Sequence, residues 1–179
     1  MTASLRAPNV IGITGWSGSG KTSLVIRLIP ELKTRGFRVA TVKHAHHAFD
    51  IDTPGKDSYE HRAAGAAEVV VSSAKRWAIM HENRDDGEPT LEELLTRISP
   101  ADIVLVEGFK NDAHAKIEVH RPSTGAELIC PGNESVIAVA SDERLTNLSL
   151  PVLDLNDTVA IADFIAERCV PAAPAAGAV

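Results

Sequence analysis

Three groups of residues have types and spacings that could do chemistry. The first, Gly15-Trp16-Ser17-Gly18-Ser19-Gly20-Lys21-Thr22, meets the pattern G-x-x-x-x-G-K-[ST] in full. Glycines here let the backbone turn tightly, so that successive N–H groups face a β-phosphate. Lys21 can reach the β- and γ-phosphates as a cation, and the Thr22 hydroxyl suits Mg2+. A helix beginning near Lys21 and Thr22, with Ser23 in its first turn, adds the positive end of its dipole. The expectation is a bound nucleoside triphosphate. Turnover is a separate matter, since a phosphate loop only positions the phosphates.

The second group is Leu105-Val106-Glu107-Gly108, an acid closing an apolar run. In phosphate-loop proteins such an acid holds the magnesium, directly or through water, and here it is Glu rather than the commoner Asp. A surface acid at a strand end is the plain alternative. Lys21 and Glu107 are the candidates for any catalytic step. The third group is the segment from Lys43 to Asp57. In it Asp50 and Asp52 could ligate or water-bridge Mg2+, and Lys43 and Lys56 could meet anionic groups. His44, His46 and His47 could bind a transition metal, although no cysteine lies nearby and their spacing matches no closed structural site, so solvated loop histidines are the better account of them. No N-K-x-D run is present to read guanine. Asp142 follows a late strand where a base-reading acid would sit, and a helix cap explains it as well.

These groups need a scaffold, and strands alternate with helices in the order that builds a mainly parallel sheet with helices on both faces. Val10 to Thr14 is a short apolar run suited to a buried strand. Leu24, Ile26, Leu28, Ile29 and Leu32 then recur at helical spacing as far as Arg35, with Gly36 as a stop and Pro30 as a site for a kink or break. Strands are expected at Arg38 to Lys43, Glu68 to Ser72, Trp77 to His81, Ile103 to Val106, Lys116 to His120 and Val136 to Ala140, with a short one within Pro151 to Leu155. Asp57 and Glu60 have capping-box spacing for a helix through Gly65, as have Thr90 and Glu93 for one through Ile98. Asp157 to Arg168 reads as an amphipathic helix with Val159, Ile161, Phe164 and Ile165 inward. The reading is one nucleotide-binding domain over residues 1–170 and a disordered alanine–proline tail over 171–179.

Composition narrows the class. Of 179 residues 44% are hydrophobic and 23% charged, which is ordinary for a soluble globular protein. A net charge of −6 gives no support to generic nucleic-acid or anionic-membrane binding. Cys130 and Cys169 are far apart and form no CxxC pair, so a reducing, cytoplasmic setting is expected.

With these residues collected, the chain resembles the MobB family, adapter proteins of molybdopterin-guanine dinucleotide biosynthesis. The likeness lies in three blocks: G-W-S-G-S-G-K-T-S-L at Gly15 to Leu24; V-K-H-A-H-H-x-F-D-I-D-T-P-G-K-D-S-Y-E-x-R-x-A-G-A at Val42 to Ala66; and L-V-E-G-F-K followed by K-I-E-V-H-R between Leu105 and Arg121. The first block is shared by many NTPases, and the other two are far more specific. The resemblance implies a P-loop NTPase-like fold that binds GTP with weak intrinsic GTPase activity, usually as a homodimer. It implies assistance to the guanylyltransferase that joins GMP to molybdenum-bound molybdopterin. By motif, Gly15 to Thr22 would hold the phosphates, and Thr22 with Glu107 or Asp50 the magnesium. The Lys43 to Asp57 loop, Lys110, Lys116 and Arg121 would face an anionic ligand such as molybdopterin, or a partner. Two rival readings are a small-metabolite kinase and a nickel-delivering accessory GTPase. No arginine-rich lid segment supports the first, and Cys130-Pro131-Gly132 lacks the histidine expected of the second.

Overall fold

The computed structural model describes residues 9–45, 49–84 and 87–169. The sequence reads as one domain, whereas the contacts group into two compact units: the segments up to His44 and from Arg97 onward, and Ala45–Thr96. The tail over 171–179 lies outside the described residues.

The first unit is a six-stranded parallel sheet. Its strands are β1 (Asn9–Thr14), β2 (Val39–Lys43), β5 (Ile103–Glu107), β6 (Lys116–His120), β7 (Val136–Ser141) and β8 (Val152–Asp154), in the order β2-β5-β1-β6-β7-β8. Helix α1 (Lys21–Thr34) lays Leu24, Leu28 and Leu32 at four-residue spacing onto Ile11, Ile13, Leu105 and Ile117. Burying each leucine contributes about 1.5–3 kcal/mol. Helix α4 (Thr158–Ala166) joins the same core through Ile161, Ala162, Phe164 and Ile165. Val159, expected inward, is 52% exposed because it lies off that stripe. Pro30 sits inside α1 without ending it, and Gly36 takes the left-handed conformation just beyond (φ 87°).

Strand β6 is covered on both faces. Ile117 and Val119 enter the helix-side core, and the alternate residues Lys116, Glu118 and His120 are buried as well. Two of these charges are satisfied by loop groups. Lys116 Nζ donates to the carbonyls of Asp112 and His114 and to Ser135 Oγ. Glu118 accepts from the backbone N–H groups of Ile129 (2.7 Å) and Cys130 (2.9 Å), which folds the β6–β7 connection.

The second unit holds α2 (Asp57–Ala63), the antiparallel hairpin of β3 (Glu68–Ser72) and β4 (Trp77–His81), and most of α3 (Leu91–Arg97). The Thr90–Glu93 capping box forms as expected, with Thr90 N–H donating to Glu93 Oε2 at 2.8 Å. The Asp57–Glu60 box does not. Helix α2 already begins at Asp57 after Lys56, so both acids lie within its first turn, where they complement the dipole. Val70, Trp77 and Ile79 are exposed on one face of the hairpin.

Candidate functional site

The phosphate loop leaves β1 at Gly15, whose φ of 144° belongs to glycine. A Cβ there would stand 2.4 Å from the Val119 carbonyl oxygen, so β6 also forbids a side chain. Trp16 Nε1 donates to the Glu127 carbonyl at 2.7 Å, and Arg121 Nε donates to the Ser19 carbonyl at 3.0 Å. Both contacts tie the loop to the β6–β7 connection, and nothing in the local spacing of the motif announced them.

Helix α1 is entered through Gly20 (φ 101°) with no side-chain cap. Its first N–H groups therefore have neither an intrahelical nor a side-chain partner. Ser17, Gly18, Gly20, Lys21, Thr22, Ser23 and Glu107 line a cavity of about 360 Å³ at this end. Lys21 Nζ folds onto the carbonyls of Gly15 (2.9 Å) and Trp16 (2.8 Å). Burial, the largest cause, draws its ammonium below the ordinary lysine value; Glu107 acts the other way, and Lys43 adds to the lowering. The ammonium is thus held beside the cavity, where an anion would restore its preference for charge.

Glu107, at the end of β5, accepts from Thr22 Oγ1 at 2.8 and 3.1 Å and pairs with Lys43 Nζ at 3.5 Å. A hydroxyl and a carboxylate in contact at the mouth of a phosphate cradle are oxygen donors of the kind Mg2+ takes. The residues fit a magnesium–triphosphate pair. Thr22 and Glu107 would hold the ion, which would neutralise charge between the β- and γ-phosphates. Gly108 follows at φ 102°, and a Cβ there would lie 2.5 Å from His44 Cβ. His44 also packs its ring 5.0 Å from that of Phe109. This histidine seats the end of β2 against the turn that carries Glu107. His46 and His47 lie outside the described residues, and among the described residues no group of three or more His, Cys, Asp or Glu could hold a metal.

The structure therefore brings together Lys21, Thr22, Lys43 and Glu107. Asp50 and Asp52 belong to the second unit. There Arg62 NH2 meets both oxygens of Asp50 at 2.8 and 2.9 Å, while Nε reaches Asp52 at 3.3 Å and NH1 reaches Glu82 at 2.8 Å. This guanidinium holds the Asp50 carboxyl below its usual range. Within that unit Asp50 is an ion-pair partner of Arg62. Lys116, expected to face an anionic ligand, is fully buried beneath the sheet's loops. Lys110 is exposed. Asp142 Oδ2 pairs with Arg121 NH1, and its Oδ1 is buried without a hydrogen-bond partner.

Comparison with known proteins places this arrangement among relatives. The sequence model of the MobB family, described as molybdopterin guanine dinucleotide synthesis protein B, matches residues 10–142. The chain is 47% identical over 163 residues to the molybdopterin-guanine dinucleotide biosynthesis adapter protein of Escherichia coli (strain K12), covering 88% of this chain and 91% of that one. It is 42% identical over 159 residues to the protein of the same description from Haemophilus influenzae, with 87% and 86% covered. A crystal structure of molybdopterin-guanine biosynthesis protein B superposes with a TM-score of 0.70 at 28% identity, covering 89% of this chain and 99% of that chain.

Proposed function

The chain belongs to the MobB family, and from that premise we propose that it is an adapter of molybdopterin-guanine dinucleotide biosynthesis that works by holding GTP with Mg2+. One observation carries the nucleotide part of this reading. The uncapped start of α1 opens at a cavity that also contains Lys21 and the Thr22–Glu107 pair. With a nucleotide bound, Lys21 would exchange its two backbone carbonyls for phosphate oxygens, and Thr22 and Glu107 would hold the ion. The cavity lining supplies phosphate donors and a single carboxylate, which suits holding better than rapid turnover. Hydrolysis by the isolated protein is accordingly slow.

The partner is the guanylyltransferase that attaches GMP to molybdopterin, with molybdopterin itself as a second ligand, and the setting is the cytoplasm. Among the described residues no helix is long and apolar enough to cross a membrane. A homodimer is supported by the hairpin, whose face bearing Val70, Trp77 and Ile79 is exposed. The net charge of −6 favours a protein partner over nucleic acid.

Titration calorimetry with GTP and ATP, with and without Mg2+, tests the reading beside a guanylyltransferase turnover assay. GTP binds more tightly with Mg2+, phosphate release is slow, and adding the protein raises dinucleotide formation. Tight ATP preference with rapid phosphate transfer to a free metabolite would overturn it.

A further inference from the structure

The sheet order gives the nucleotide site a direction. Thr22 and Glu107 mark its metal end, on the β5 side of β1. A phosphate chain held in the loop between β1 and α1, with its metal end towards β5, would direct the nucleoside to the other side of β1. The C-terminal ends of β6 and β7 lie there, in the crevice where ligands of parallel sheets bind. Arg121 is the first residue after β6, and Asp142 the first after β7.

These two residues are joined to each other and to the phosphate loop. Arg121 Nε donates to the Ser19 carbonyl at 3.0 Å, and its NH1 holds Asp142 Oδ2. The other carboxylate oxygen, Oδ1, is buried and has no partner. A carboxylate only accepts hydrogen bonds, and an acceptor left unmade away from water is costly. The helix-cap explanation falls away, because no helix starts between Asp142 and Leu150 and Asp157 caps α4.

We infer that Asp142 reads the Watson–Crick edge of guanine and that Arg121 is the positioning residue linking this base-reading acid to the phosphate cradle. This rests on the nucleotide reading above and adds the base. Guanine presents two adjacent donors, N1–H and the 2-amino group, which an acceptor-only carboxylate matches; adenine presents an acceptor at its N1. With one oxygen fixed by Arg121, the other is the acceptor the base must satisfy. Because the same guanidinium holds the Ser19 carbonyl, the two ends of the site keep one spacing.

The test is calorimetry on the full chain with Mg2+ and four nucleotides: GTP, ITP (no 2-amino group), XTP (a 2-oxo group) and ATP. The wild type binds GTP about tenfold or more tighter than ITP, as loss of one hydrogen bond to a charged acceptor predicts, and ATP is weaker still. Asp142→Asn weakens GTP by about tenfold or more and strengthens XTP, whose 2-oxo group accepts from the new amide. Asp142→Ala removes the difference between GTP and ITP. Arg121→Gln lowers the GTP to ATP ratio, and Arg121→Lys restores part of it; a residue serving stability alone would shift all four nucleotides together. Equal wild-type affinity for GTP and ITP overturns the inference whether or not any variant folds, as does an equal loss for all four in Asp142→Asn. If the wild type binds GTP and ATP alike through Lys21, the triphosphate site stands and only the base reading falls. If it binds neither, the nucleotide reading itself is lost.

Discussion

Helices α1 and α4 lie side by side on one face of the same sheet, and they begin in opposite ways. At α4 the Asp157 side chain accepts from Ala160 N–H at 2.9 Å, so the helix closes its own end. At α1 the cap position is Gly20 in a left-handed conformation, no side-chain cap hydrogen bond is made, and Lys21, Thr22 and Ser23 line a cavity. Every helix leaves its first four N–H groups without intrahelical partners. A side-chain cap is worth about 1 kcal/mol, and α1 forgoes it. What α1 keeps instead is a set of oriented donors and a positive dipole end available to a ligand. The difference separates a helix that serves only the core from one that serves the core with its leucine face and an anion with its start.

Substitution at each start tests this contrast. Lys21→Ala removes the cation from the open end and lowers GTP affinity by about a hundredfold or more, in line with losing charge-assisted hydrogen bonds to phosphate. Its melting temperature stays near that of the wild type, since Lys21 Nζ bonds only two loop carbonyls. Unchanged affinity would remove the distinction between the two helix starts. Glu107→Gln acts on the acid that accepts from Thr22. It weakens GTP binding about tenfold in the presence of Mg2+ and less without the ion, and equal losses would make Glu107 a structural partner of Thr22. Asp157→Ala, at the closed end, costs about 1 kcal/mol in denaturant unfolding and leaves GTP affinity unchanged. A fall in affinity there would show that the caps do not divide the labour.

The parts legible in the sequence are those whose chemistry is local. The phosphate loop, the Thr90–Glu93 box and the strands Glu68–Ser72, Trp77–His81 and Lys116–His120 all lie where spacing placed them. Parts that depend on distant partners were not legible. Lys116 and Glu118 alternate with Ile117 and Val119 as if β6 showed a wet face, yet loops from both sides bury those charges and bond them. Arg62 reaches both oxygens of Asp50 from 12 residues away, a pairing that the motif around Asp50 does not announce. The resemblance points to Arg121, but its bond to the Ser19 carbonyl, 102 residues away, lies beyond any window along the chain. The second compact unit was hidden for a similar reason: its helices and hairpin follow the same alternation of elements as the sheet they interrupt.

Trp16 sits in the phosphate loop, half exposed, with its indole N–H bonded to the Glu127 carbonyl. The chain has 2 tryptophans, and the other, Trp77, lies exposed on the hairpin of the second unit. In optical terms the molecule carries its own two-channel reporter. A ligand entering the cradle changes the surroundings of one indole, and a protein covering the hairpin changes those of the other. Replacing either tryptophan by phenylalanine leaves the remaining emission to follow nucleotide or partner alone.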